Sequence, residues 1–392
     1  MYASSTCPVY FHNISVNSDF PGNHNGFYFM ISCRHVVFCI ALLLGSVAGA
    51  EEEKILNVYN WGNFIGPTTI ADFEKEFGIK VNYDLYDSTE IVEAKLLAGN
   101  TGYDVVLHSV AYSARLIPIG VYQPLDKSKL NLWNNLDPWV LEKMSAYDPD
   151  NLYGFPYMWG TTGLAYNIDM IEERMPDAPL DSGAMIFDPE IAAKFANCGI
   201  SFLDDPTTVI PLAMLYLGHE PDSMDPEHLS EVEDLMQAVR PYIRYFSSSR
   251  MISDLPNEEL CIAMSWSGDY AQAQQSAIEV GADVRLAYEV PKEGSIIWFD
   301  AMFIPADAPH SDNAHLFINY LLRPDVIAEV SAYIHYANAN TAALALMPAD
   351  VVNDPAVYPP PDQLEHIYTG FIFGPKLERR RTRAWSRIKT GL

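Results

Sequence analysis

An alternation of strand and helix patterns between residues 54 and 108 constrains the fold of this chain more than any other feature. Three short apolar segments have strand character, and the two segments between them space their apolar residues as helices do. In chain order they are strand 54–61, helix 69–77, strand 80–86, helix 90–98 and strand 105–108. Such an alternation is typical of parallel sheets, so we predict an α/β fold.

The three strands end in polar or aromatic residues. Trp61 closes the first strand, Asp87 follows the second, and Ser109 follows the third. Ligands of α/β proteins bind beyond the carboxyl ends of the strands. We therefore expect these three side chains to face one crevice.

Similar patterns continue through the rest of the chain. The predicted strands are 153–166, 199–203, 259–266, 284–290 and 296–305, and the predicted helices are 209–217, 229–242, 313–321 and 324–333. We predict two α/β lobes that are discontinuous in sequence, with the ligand cleft between them, because clefts between lobes are favoured ligand sites. The first lobe comprises 51–160 plus 281–330, and the second comprises 161–280 plus 331–392.

The beginning of the chain resembles an export signal. Residues 30–50 combine Arg34, an apolar run and a small-residue ending, which predicts cleavage near Ala50. The apolar run is too short to span a bilayer, which needs about 20 apolar residues. Residues 1–29 precede a complete signal, and we interpret them as a non-native upstream extension. We expect the mature protein to be exported and not embedded in the membrane.

The exported part keeps only two of the five cysteines, Cys198 and Cys261. Cysteines of exported proteins pair more often than they stay free. We therefore predict a disulfide between these two residues.

The charge balance of the chain is strongly acidic. The 51 aspartate and glutamate residues outnumber 24 lysine and arginine residues, which gives a formal net charge of −27. Nucleic acid is therefore not an expected partner, whereas a cationic ligand would be attracted. A high negative charge also keeps a protein soluble whatever it binds, so net charge alone does not identify the ligand.

Three segments place a tryptophan beside carboxamide, hydroxyl or carboxylate groups. They are Tyr59-Asn60-Trp61, Trp266-Ser267-Gly268-Asp269 and Trp298-Phe299-Asp300. Indole faces attract ammonium groups, and a nearby carboxylate adds a charge-assisted hydrogen bond. A single tryptophan in an apolar run is more often part of the core, but three segments of one kind favour a pocket for an organic cation.

The sequence lacks the motifs of common enzymes and metal sites. It has no glycine-rich phosphate loop, no His-Glu-x-x-His, no Cys-x-x-Cys and no Gly-x-Ser-x-Gly. Asp269 and Asp300 have the chemistry of a general acid and base, but no nucleophile or metal cluster stands beside them in sequence. We therefore expect a binding protein without catalytic residues, metal or cofactor. A ligand with two amines, such as putrescine or spermidine, fits the aromatic and acidic segments.

Several longer runs of sequence resemble the periplasmic polyamine-binding proteins that feed ABC importers, specifically the putrescine/spermidine type. Besides Tyr59-Asn60-Trp61, the similar runs are 120–129, 134–138, 156–163, 319–326, 336–340 and 382–385. The resemblance implies a type II periplasmic-binding fold that closes around its ligand in the periplasm and docks on an inner-membrane ABC permease. It also implies a disulfide between Cys198 and Cys261. We expect a monomer.

The resemblance also implies a set of ligand-binding residues. These are Trp61, Ser109, Trp266, Asp269, Trp298, Asp300 and Tyr336. Position 298 is Phe or Trp among the similar proteins, and the resemblance implies that Trp accompanies spermidine as the ligand.

Two acidic positions of the family pattern are replaced in this chain. After Trp61 the family has a hydroxyl residue, an acid and Tyr, where this chain has Gly62, Asn63 and Phe64; Thr208 stands where the family has Glu. We include these four residues and Asp87 as secondary candidates, and Asp204, with its neighbour Asp205, as a possible replacement for the missing acids.

The missing acids leave two alternatives to polyamine transport. The ligand could be another organic cation, such as a guanidinium or a quaternary amine. The protein could instead be a sensor whose closed form contacts a membrane receptor rather than a permease.

Overall fold

The computed structural model describes residues 52–62, 64–86, 89–360, 363–371 and 373–391. The predicted upstream extension 1–29 and signal 30–50 lie outside this range, as do the candidate site residues Asn63 and Asp87. The described residues form one compact unit. The proposed lobe boundaries at residues 160, 280 and 330 therefore stay a prediction.

Within the described residues, eleven strands build a single mixed sheet. They are β1 (Ile55–Trp61), β2 (Lys80–Tyr86), β3 (Val105–Ser109), β4 (Gly154–Asn167), β5 (Ile200–Phe202), β6 (Ile243–Phe246), β7 (Ile262–Trp266), β8 (Leu286–Glu289), β9 (Ser295–Phe303), β10 (Ala337–Asn338) and β11 (Ile367–Thr369). The order across the sheet is β2-β1-β3-β9-β4-β7-β5-β6. In addition, β8 and β10 pair with β4, and β11 pairs with β9.

Helices connect these strands. They are α1 (Thr69–Phe77), α2 (Thr89–Ala98), α3 (Val110–Leu116), α4 (Pro138–Met144), α5 (Ile168–Arg174), α6 (Ala184–Phe187), α7 (Pro189–Phe195), α8 (Pro206–Tyr216), α9 (Pro226–Val239), α10 (Met251–Asp254), α11 (Ser267–Val280), α12 (Ser311–Leu321), α13 (Pro324–Ile334), α14 (Ala349–Val352) and α15 (Pro375–Thr390). The predicted parallel pairing of β1 with β2 and β3 is confirmed.

An Asp-Pro pair begins four of the helices. Asp137, Asp188, Asp205 and Asp225 each accept a backbone hydrogen bond as the N-cap, and each is followed by proline at the first helical position. The carboxylate satisfies an otherwise unpaired N–H group, and proline lacks the N–H that would have no partner there. These local signals explain where α4, α7, α8 and α9 start.

The long strand β4 joins the two halves of the sheet. All 14 of its residues are buried. Its first part pairs with β9, up to the pair Thr161–Ile297, and its second part pairs with β7 from the pair Thr162–Trp266 onward. The partner therefore changes between Thr161 and Thr162, and this exchange places the ends of β7 and β9 near one another.

Two hydrophobic clusters pack on these halves. The first includes Val58, Val106 and Phe303, and the second includes Phe187 and Phe202. Trp266 packs against both clusters. The end of β7 thus lies at the junction between the two cores.

A disulfide between Cys198 and Cys261 confirms the predicted pairing. Cys198 lies shortly before β5 and Cys261 lies directly before β7. These two strands are parallel neighbours. The bond therefore fixes the start of the second half of the sheet. Within the residues that the structure covers, no helix has the length and apolar character needed to cross a membrane.

Candidate functional site

Asp300 lies in the middle of the sheet, opposite the end of β3. Ser109 is its direct register partner in the antiparallel pair β3–β9, and Met158 of β4 is its partner on the other side. Trp298 is two residues earlier on β9 and opposes Gly160. Because alternate residues of a strand share a face, Trp298 and Asp300 project from the same side of the sheet.

Asp269 reaches the site from a helix rather than a strand. It lies in the first turn of α11, which follows β7 without a loop. The hydroxyl of Tyr336 donates a hydrogen bond of 2.7 Å to Asp269 Oδ1. Tyr336 directly precedes β10, which pairs with β4, so three chain segments that are distant in sequence meet here.

Both carboxyl groups are enclosed. Asp269 is 8% exposed and Asp300 is 9% exposed. Burial raises the pKa of Asp269 to about 7, although the hydrogen bond from Tyr336 acts in the opposite direction. Burial alone raises the pKa of Asp300 to about 7. Enclosure disfavours the charged form of a carboxyl group, which accounts for the raised pKa of each residue.

The phenol of Tyr336 lies close enough to both carboxyl groups to sense their charges. Its pKa is raised well above the usual tyrosine value, first by burial and then by the charge of Asp269, with a smaller contribution from Asp300. Asp269 is therefore in direct contact with this buried hydroxyl, and Asp300 acts on it through its charge alone.

No basic side chain neutralises these two acids within the described ranges. Neither Asp269 nor Asp300 forms an ion pair there, and the carboxylate of Asp300 accepts no hydrogen bond from a described group. The structure contains no cluster of His, Cys, Asp and Glu suited to a metal ion among these residues. A cation that reached these two acids would meet no competing basic side chain from the part of the chain that the structure describes.

Aromatic rings pack beside Tyr336 and at the end of β2. The ring of Tyr336 makes edge-to-face contacts with Trp298, at a centroid distance of 5.2 Å, and with Phe64, at 5.3 Å. Trp61 packs against Tyr86 at 4.3 Å. The indole Nε1 of Trp298 is buried without a hydrogen-bond partner. These rings offer apolar walls and π faces to an organic cation.

Sequence reasoning missed two tyrosines of this region. Tyr86 ends β2, and its pKa is raised by burial and then by the charge of Asp300; the strand-end rule that indicated Asp87 could have indicated Tyr86. The Tyr288 hydroxyl lies 2.9 Å from Thr161 Oγ1, and its pKa is raised first by burial and then, to a smaller extent, by the charge of Asp269. No sequence signal marks Tyr288, since it lies in a short strand without a motif.

The secondary candidates differ in their surroundings. Phe64 is buried beside Tyr336, whereas Gly62 is exposed and has open space where a Cβ would stand. The hydroxyl of Thr208 donates to Asp205 Oδ2 at 2.6 Å. That contact engages Thr208 within the first turn of α8.

Asp204 and Asp205 make structural contacts. Asp204 accepts hydrogen bonds from Lys389, at 2.8 Å, and from the indole N–H of Trp385, at 3.1 Å. Asp205 caps α8 and accepts from the backbone N–H of Thr207. Both carboxylates are therefore engaged by other groups of the protein.

Comparisons with known proteins agree with this architecture. A family model described as a bacterial extracellular solute-binding protein matches residues 68–359. The putrescine-binding periplasmic protein PotF of Escherichia coli (strain K12) is 46% identical over 354 residues, covering 90% of this chain and 95% of that protein. A putrescine/agmatine-binding protein of Pseudomonas aeruginosa is 42% identical and covers 86% of this chain and 93% of that protein.

A solved structure described as a putative spermidine/putrescine ABC transporter from Listeria monocytogenes has the same fold. It superposes with a TM-score of 0.77 at 31% identity, covering 86% of this chain and 99% of that one. These similarities confirm the type II periplasmic-binding fold and the expectation of a binding protein rather than an enzyme. The chain belongs to the bacterial extracellular solute-binding protein family.

Proposed function

We propose that this protein captures a polyamine of the putrescine or spermidine type between Asp269 and Asp300 and delivers it to an ABC permease. The observation that carries the proposal is the pair of buried carboxyl groups without a basic partner among the described residues. An isolated buried charge is unfavourable, so a bound cation that neutralises these groups gains a large interaction energy.

The rings around the acids suit the rest of such a ligand. Trp61, Trp266, Trp298 and Tyr336 present apolar surface for the methylene groups, each of which contributes about 0.8 kcal/mol on burial. The same rings attract an ammonium group when water is excluded. Ser109, opposite Asp300, adds a hydroxyl that can accept a hydrogen bond from the ligand.

Agmatine is a second candidate ligand. It carries a guanidinium at one end, and one 42% identical relative is named for binding putrescine and agmatine. The carboxylate of Asp300 makes no hydrogen bond to a described group, which leaves both oxygens for a bidentate contact with a guanidinium.

Delivery to a permease requires export. The relative PotF is a periplasmic protein, and the sequence between residues 30 and 50 has the pattern of a signal peptide. We propose that the mature protein begins near Glu51 and acts in the periplasm as a monomer.

Isothermal calorimetry of the mature protein tests the ligand class. The protein is titrated separately with putrescine, spermidine, cadaverine, agmatine and glycine betaine at pH 8. We expect saturable heat from at least one of the first four compounds and none from glycine betaine, whose carboxylate would approach two acids. No saturable heat from any polyamine overturns the proposal.

A further inference from the structure

Gly268 lies directly under the ring of Tyr336. A Cβ atom built on Gly268 would stand 2.4 Å from three atoms of that ring, Cε1, Cε2 and Cζ. Carbon atoms in contact are normally about 3.5 to 4.0 Å apart. No side chain fits at position 268 while Tyr336 keeps its place.

Backbone conformation does not account for this glycine. Gly268 is in the first turn of α11, and it is not among the glycines with a left-handed φ. Glycine inside a helix is less favourable than alanine by roughly 1 kcal/mol. The local structure would thus be more stable with alanine, and the contact with Tyr336 is the feature that alanine would disrupt.

The ring of Tyr336 is closely packed by its neighbours. It is 4% exposed and is held by edge-to-face contacts with Trp298 and Phe64. Its hydroxyl donates to Asp269 Oδ1, one residue after Gly268. Moving the ring to admit a methyl group at position 268 therefore breaks or lengthens the bond to Asp269.

We propose that Gly268 is a positioning residue for ligand binding, because its lack of a side chain lets Tyr336 lie across the start of α11 and hold Asp269 by Oδ1. Oδ2 of Asp269 is then presented to the ligand's ammonium group in a fixed orientation. This inference rests on the proposed function, since it concerns the same site.

A double-mutant cycle tests whether Gly268 acts through Tyr336. Putrescine affinity is measured by calorimetry for the mature protein and for the variants Gly268→Ala, Tyr336→Ala and Gly268→Ala/Tyr336→Ala. We expect Gly268→Ala to weaken binding about tenfold or more, and to weaken it no further in the Tyr336→Ala background, where the ring is absent. An equal loss in both backgrounds overturns the proposal.

The pH profile supplies a readout that general damage to the fold would not change. The hydrogen bond from Tyr336 favours the charged form of Asp269, so losing it moves the midpoint of the affinity profile to higher pH. We expect Gly268→Ala and Tyr336→Phe to shift this midpoint upward together, by about half a pH unit or more. An unshifted midpoint in Gly268→Ala contradicts the proposal.

Gly374→Ala is the matched control. Gly374 has no atom within 4 Å of a built Cβ and an ordinary negative φ, so this variant should bind as the parent protein does. If Gly268→Ala does not fold, the double variant relieves the clash and must fold with the affinity of Tyr336→Ala. A parent protein that binds no polyamine refutes the proposed function, whereas a parent that binds and a Gly268→Ala variant that binds equally well refute only this inference.

Discussion

Ser109 and Asp300 oppose each other directly across the antiparallel pair β3–β9. The first ends a strand of the predicted β-α-β-α-β unit, and the second lies in the middle of β9, 191 positions later in the chain. Because β9 lies between β3 and β4, it brings an acid from a distant segment to the end of β3, where the strand pattern predicts a ligand crevice.

Replacing Asp300 by Asn should separate binding from stability. We expect putrescine affinity to fall about tenfold or more, because a charged hydrogen bond contributes about 1.5 to 3 kcal/mol. The ligand-free protein should become more stable at pH 8, because the variant removes a buried carboxylate that has no basic partner among the described residues. Calorimetry and urea denaturation measure the two effects. Unchanged affinity with unchanged stability contradicts the placement of Asp300.

Affinity should depend on pH near neutrality. Burial raises the pKa values of Asp269 and Asp300 to about 7 in the free protein, whereas a bound ammonium group favours their charged forms. Affinity should therefore rise as the pH increases from 6 to 8, with release of protons on binding. Calorimetry in two buffers of different ionisation enthalpy measures that release, and equal affinity at both pH values contradicts the account.

The same pKa shifts make a prediction for the ligand-free protein. A carboxyl group whose pKa is higher in the folded state than in the unfolded state binds more protons when folded, so the free energy of unfolding falls as the pH rises through that interval. The stabilisation that the protonated carboxyl groups of Asp269 and Asp300 give to the folded protein should be lost between about pH 4 and pH 7. Urea denaturation of the parent and the Asp269→Asn/Asp300→Asn variant isolates them, since the variant should lose less stability over this interval. If the free energy of unfolding changed equally with pH in both proteins, the raised pKa values of Asp269 and Asp300 would be refuted.

Asp204 should be unimportant for the ligand. Its carboxylate contacts Lys389 and Trp385 of α15, and its side chain is 41% exposed. Asp204→Asn should leave putrescine affinity within about twofold and lower the free energy of unfolding by less than about 1 kcal/mol, as is usual for exposed ion pairs. A tenfold loss of affinity would instead mean that Asp204 replaces an acid missing from the family pattern.

The sequence predicts those parts of the fold that depend on the local spacing of apolar residues. Helix Thr69–Phe77 and strand Lys80–Tyr86 have the predicted bounds, because their apolar residues alternate with the periods of helix and strand. The partner change within β4 was not predicted, since all its residues are buried and its sequence has no alternation that could reveal which strand it pairs with.

The sequence indicates candidate site residues but not the contacts between them. Asp269 and Tyr336 were both candidates, yet their hydrogen bond joins residues 67 positions apart, and no local pattern indicates such a contact. The close approach of Gly268 to the Tyr336 ring also joins residues that are distant in sequence, so no local pattern indicates it. Asp204 was a candidate by proximity in sequence to Thr208, whereas its carboxylate is bonded to side chains of α15.

Titration of the Asp269→Asn variant with putrescine tests the central claim most directly. Asn keeps the shape of the side chain and an oxygen that can accept from Tyr336, but it removes the charge. With the parent protein and Asp204→Asn as references, we predict that Asp269→Asn binds putrescine at least about tenfold more weakly at pH 8. An affinity equal to that of the parent protein would contradict the claim that Asp269 binds the cation.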